Sequence, residues 1–136
     1  MKGTRITDVT PGTGVSAGDS PEGIHEARDT ARAFTGELVP APGSGLVDTI
    51  VLVVSELVTN ALRHGGGRYR LELSAAPDSV TVAVSDPNPA PPRERAPDLD
   101  GGGGGFGWHM VRGMARCLAV TPGPGPGKTV YAVVAR

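Results

Sequence analysis

The longest sustained pattern in the chain runs from Ser44 to Gly67, SGLVDTIVLVVSELVTNALRHGGG. Apolar residues recur at Val47, Ile50, Val51, Val54, Leu57, Val58, Ala61 and Leu62, a helical repeat and not an alternating one. Val51–Val54 alone would suit a strand, because β-branched residues favour strands. Length and end signals decide for a helix. Ser44 can serve as N-cap, Asp48 lies near the positive end, Arg63 and His64 near the negative end, and Gly65 is a stop. Upstream, Ser20-Pro21 predicts the start of another helix, with Ser as cap and Pro in the first turn. Its apolar face is Ile24, Ala27, Ala31, Phe34 and Leu38, and it ends at Pro40–Gly43. Glu26, Arg28, Asp29 and Arg32 fall between as a solvated face, and His25 is read as a surface residue.

Downstream the period changes to two. Arg68–Ala75 alternates, with Tyr69, Leu71, Leu73 and Ala75 on one side; Val80–Ser85 alternates again, with Val80, Val82 and Val84 together. Pro and Asp in Ala76-Pro77-Asp78-Ser79 suit a turn, so this is an antiparallel hairpin with one face on a core. Pro87–Gly104 has no regular pattern. A third helix follows the glycines, with Phe106, Met110, Met114 and Cys117 on one face and Val111 and Leu118 beside it. Leu118–Thr121 and Lys128–Ala135 read as strands around a Pro122–Gly127 turn. Because strands arrive in adjacent pairs, a Rossmann βαβ unit does not fit. The expected fold is α+β: a two-layer sandwich, three helices on one face of a mixed, mostly antiparallel sheet. Residues 1–19 are expected to be a flexible tail, with Thr4–Val9 a candidate edge strand, and residues 20–136 the domain.

Composition narrows this picture. The chain has 136 residues, enough for one domain with a real core. Glycine at 21 and proline at 13 are high, but they cluster in the connections and leave the segments between well patterned. Thirteen basic against fourteen acidic residues give a net charge of −1. With no basic stripe, nucleic acid is not the expected partner. The single cysteine, Cys117, excludes an internal disulfide and is expected in the core. No signal peptide and no membrane-spanning apolar run are read, so the expectation is a cytoplasmic protein without a membrane partner.

Three features carry candidate chemistry. Glu56 and Asn60 are four apart and share one helix face. They are either the wet side of an amphipathic helix or a carboxylate–amide pair suited to proton transfer and magnesium, which takes oxygen ligands and keeps several waters. Asp86 continues the parity of Val80, Val82 and Val84. Either the strand runs on and its carboxylate faces the interior, where a charge needs a partner, or Pro87 has broken the strand and Asp86 starts a turn. Gly101–Gly105, Phe106 and Gly107 open a helix whose free N–H groups could approach an anion; the alternative is a flexible linker ending at a helix. Two motifs mislead. Gly123–Thr129, GPGPGKT, imitates the end of a P-loop, but Pro122 stands where glycine is needed and a strand follows. Gly102–Gly107 satisfies GxGxxG only because a glycine run does so by default, and no strand leads into it.

SELVTNALRHG, an aspartate after a strand, a loop, GGFGWHMV and GKTVY, in that order, resemble the Bergerat-type (GHKL) ATP-binding domain of gyrase, heat-shock-90 chaperones and sensor histidine kinases. They look more closely like the short anti-sigma-factor serine/threonine kinases and related actinobacterial regulatory ATPases, over roughly Pro21 to Val134. The resemblance implies ATP and Mg2+ as cofactors. Glu56 would be the general base, Asn60 the magnesium ligand, and Asp86 the acceptor for the adenine amino group. Gly105 and Gly107 would meet the phosphates, residues 93–104 would form the lid, and Thr129 would back up Asp86 from the next strand. Arg63 and His64 lie near the nucleotide end of the central helix. The implied partners are an anti-anti-sigma (STAS-type) protein and a sigma factor, with a homodimer as the assembly. One departure stands out: the family's Asp-x-Gly-x-Gly is replaced by Asp86-Pro87-Asn88-Pro89-Ala90. It leaves open a nucleotide-responsive binding module that transfers no phosphate.

Overall fold

The computed structural model of the chain describes residues 14–90 and 105–136. The elements are β1 (Gly14–Gly18), α1 (Gly23–Gly36), α2 (Ser44–His64), β2 (Tyr69–Ala76), β3 (Ser79–Asp86), α3 (Gly105–Met114), β4 (Cys117–Pro122) and β5 (Lys128–Ala135). The strands form one five-stranded sheet in the order β1-β2-β3-β5-β4, and the helices lie on one side of it. The architecture is the expected α+β sandwich. Every described pairing is antiparallel, so the sheet is not mixed. β2–β3 and β4–β5 are hairpins, and β5 lies against β3 in the same antiparallel sense.

The helical period of α2 becomes the core. Ile50, Val53, Val54, Leu57, Val58 and Ala61 are buried against Leu71, Leu73, Val80, Val82, Val84, Val130, Ala132 and Val134, with Ala27, Ala31 and Phe34 of α1 alongside. Each large aliphatic side chain so buried contributes roughly 1.5–3 kcal/mol, which makes α2 the element the rest packs around. By length and mean hydropathy, 1.6 over its most apolar window, α2 also qualifies as a candidate membrane span, contrary to the expectation of no such run. In this fold its apolar side is committed to the sheet.

Several expectations need correction. Gly14–Gly18 is not tail but an edge strand paired with β2; Thr4–Val9 and residues 93–104 lie outside the described residues. Gly43, extended at φ −73° and ψ 167°, is the N-cap of α2, and Ser44 is already helical. Ser20-Pro21 forms a turn, in which Gly23 N donates to Ser20 O (2.9 Å), and α1 starts at Gly23. α1 also stops at Gly36, although Leu38 stays buried beyond its end. Arg28 is half-buried instead of solvated. On α3, among the described side chains, Val111 is buried and Met114 packs against the core, with Met110 39% exposed; the helix ends at Met114, so Cys117 falls in β4 and is exposed.

Candidate functional site

β3 runs through Asp86, so the carboxylate faces the core side, as the strand reading required. The partner it needs comes from β5. Lys128 is opposite Asp86 in the register, and its Nζ donates to Asp86 Oδ1 at 2.9 Å, with both side chains about 5–6% exposed. A buried ion pair is stable only when its remaining donors and acceptors are met. Here Lys128 Nζ also donates to Asn88 O (3.0 Å), and Asn88 N donates to Asp86 Oδ1 (2.9 Å). Lys128, Val130, Ala132 and Val134 share one parity. Two opposite charges therefore continue the core faces of two strands; the sequence reading missed Lys128, and that parity is the signal that could have found it.

The end of α2 closes onto this pair. A Cβ at Gly65 would lie 2.4 Å from both Cγ and Oδ2 of Asp86, and one at Gly66, where φ is +103°, would lie 2.6 Å from Pro87 Cγ. Only glycine permits that approach, and at Gly66 that backbone. On the β5 side a Cβ at Gly127 would strike the Asp86 carbonyl. Asn88 fastens the junction: its Nδ2 donates to His64 O (2.9 Å) and its N to Gly65 O (3.1 Å). The Asp86 segment, proline-rich where the family pattern has glycine, is thus held by the C-terminus of α2.

Asn60 lies one helical turn before this junction, about 6 Å along the axis, and Glu56 one turn earlier. Both are half-buried, and among the described residues neither side chain makes a hydrogen bond. Burial pushes the Glu56 carboxyl above its ordinary value of 4.5, opposed by the nearby charges of Arg28 and Arg63. Arg28 is fixed beside it, donating from Nε to Ser55 Oγ at 2.6 Å. An open groove of about 350 Å³ on that side is lined by Arg28, Arg32, Asp48, Val51, Leu52 and Ser55, and includes none of the expected site residues.

Gly105 opens α3 and Gly107 lies in its first turn; α3 packs on α2 through the buried Val111. The acid–amide helix, the strand-end aspartate and the glycine-opened helix are therefore neighbours. Thr129 is placed differently from the expected role. It is one residue on from Lys128, so its side chain lies on the opposite sheet face from Asp86. Its hydroxyl donates to Gly123 O (2.8 Å) and so accepts from Ser85 Oγ (2.8 Å). Lys128, not Thr129, is the β5 residue that touches Asp86.

The model of the histidine kinase-like ATPase domain family matches residues 19–134 of the chain. The chain belongs to that family. No curated protein matches the chain. The match begins just after β1, so this ATPase domain carries its edge strand ahead of the shared region. An ATPase domain binds ATP, and the polar groups at the junction fit such a ligand. Asn60 and Glu56 are half-buried without hydrogen bonds among the described residues, and the hydrogen bonds Asp86 accepts there fall on Oδ1.

Proposed function

We propose that this histidine kinase-like ATPase is an Mg2+-dependent protein serine/threonine kinase of the anti-sigma type. It would phosphorylate a small anti-anti-sigma partner and thereby control a sigma factor, as a cytoplasmic homodimer. The observation that carries the nucleotide part is the junction at Gly65, where the helix bearing Glu56 and Asn60 meets the strand end bearing Asp86. The choice of partner rests on the resemblance of SELVTNALRHG and GGFGWHMV to short anti-sigma kinases.

Bound Mg-ATP would supply the γ-phosphoryl group, in chemistry governed by positioning and charge neutralisation. Glu56 would accept the proton of the partner's hydroxyl at its carboxylate; its raised pKa makes it a stronger base than a solvated glutamate. Asn60 would offer its amide oxygen to magnesium. Among the described residues no group of three or more His, Cys, Asp or Glu could hold a metal, so the remaining ligands would come from phosphate and water. Asp86 would accept a hydrogen bond from the adenine amino group, and the N–H groups at Gly105 and Gly107 would be available to phosphate oxygens.

The stapling of Asn88 to α2 favours a second reading, a module that binds nucleotide and gates a partner without phosphotransfer. Incubation with γ-labelled ATP, Mg2+ and anti-anti-sigma domains separates the two. The kinase reading expects label on the partner's serine or threonine, abolished in Glu56→Ala. Tight ATP binding with no label on any partner establishes the module instead.

A further inference from the structure

We propose that Lys128 is a positioning residue for base selection: it holds the Asp86 carboxylate so that Oδ2 reads the 6-amino group of a purine nucleotide. This rests on the reading of Asp86 as the adenine contact and adds to it a residue that touches no part of the nucleotide. An aspartate at a strand end has two side-chain torsions, and reading a single amino group requires one fixed orientation. Here three constraints supply it. Lys128 Nζ binds Oδ1 at 2.9 Å from directly across the β3–β5 ladder. Asn88 N binds the same oxygen at 2.9 Å. Gly65 lies flush against Cγ and Oδ2 on the α2 side. Oδ1 is thereby committed to the protein, and Oδ2 takes neither of these bonds.

The ammonium also answers an electrostatic need. A buried carboxylate is costly without a partner of opposite charge, and Lys128 Nζ is that partner at 2.9 Å. Lys128 is 5% exposed and donates to Asn88 O as well, so it is anchored to the same turn it orders.

The test compares ATP with inosine triphosphate, which differs by a carbonyl in place of the 6-amino group, by calorimetry on the full chain. The wild-type protein should prefer ATP by roughly tenfold or more, the worth of one hydrogen bond to a charged acceptor. In Lys128→Met that ratio should collapse towards one through loss of ATP affinity. Inosine triphosphate binding should change by less than about threefold, and Lys128→Arg should restore the preference. A folded Lys128→Met that keeps the wild-type ratio overturns the proposal, and so does a wild-type protein that binds the two nucleotides equally. Binding of neither nucleotide by the wild type would instead refute the ATP-dependent function itself. Should Lys128→Met not fold, ¹⁵N-lysine-labelled wild-type protein decides. The ammonium signal that Lys128→Arg removes should persist when ATP is added, and its loss on ATP binding overturns the proposal.

Discussion

Burial raises the pKa of Glu56, so the folded chain keeps a proton that the unfolded chain gives up near pH 4.5. The folded state binds more protons in the window just above that value, and stability must therefore fall as pH rises through it. The contribution is fully present below 4.5 and gone above the folded pKa. Urea midpoints measured from pH 4 to 7 should show this decline, and Glu56→Gln should flatten it. Arg28→Ala removes one of the charges opposing the shift, so a carboxyl NMR titration of Glu56 in that variant should move further upward. Gly65→Ala tests the junction. Its backbone, φ −103°, suits alanine, so the penalty is contact alone: a Cβ 2.4 Å from Asp86 Oδ2 and 2.8 Å from Ala61 O. We expect destabilisation of about 1–3 kcal/mol in a urea melt.

At the scale of elements, the patterns that were legible are those a segment carries within itself. Lys128–Ala135 is a strand with the expected bounds, and the helical repeat of Val47 to Leu62 is the core helix. Pairing between segments was less legible. Gly14–Gly18, GVSAG, has one large apolar side chain, and Val15 is 47% exposed; backbone bonds to β2 make it a strand, and no side-chain period announces them. Thr129 and Lys128 are adjacent in the sequence; parity with Val130, Ala132 and Val134 puts Lys128 on the core face, and the register with β3 sets it opposite Asp86. On α3 the expected face of Met110, Met114 and Cys117 holds only at Met114, which packs on the core beside the buried Val111; Met110 is exposed and the helix stops before Cys117. Val111→Ala should accordingly lower stability by about 2 kcal/mol, while Met110→Ala, at an exposed position, should change it by less than about 0.5 kcal/mol in the same denaturation experiment.

For the molecule as a whole, ATP binding is a property of the folded state, so it must appear as added stability. At a hundredfold excess over its dissociation constant, Mg-ATP should contribute about 2.7 kcal/mol, a rise of roughly 10 °C in a thermal melt. Asn60→Ala should lose most of that rise in the presence of magnesium. The buried Asp86–Lys128 pair bears on assembly too. Sliding β5 by two residues along β3 would keep every side chain on its own face. Such a slip would leave an acid under the helices with no ammonium to neutralise it. Few aliphatic contacts in the β3–β5 ladder tell one alignment from the next so sharply, since valine follows valine at Val80, Val82 and Val84. The two charges therefore act as a proofreading mark, making a misaligned sheet costly beneath the helices.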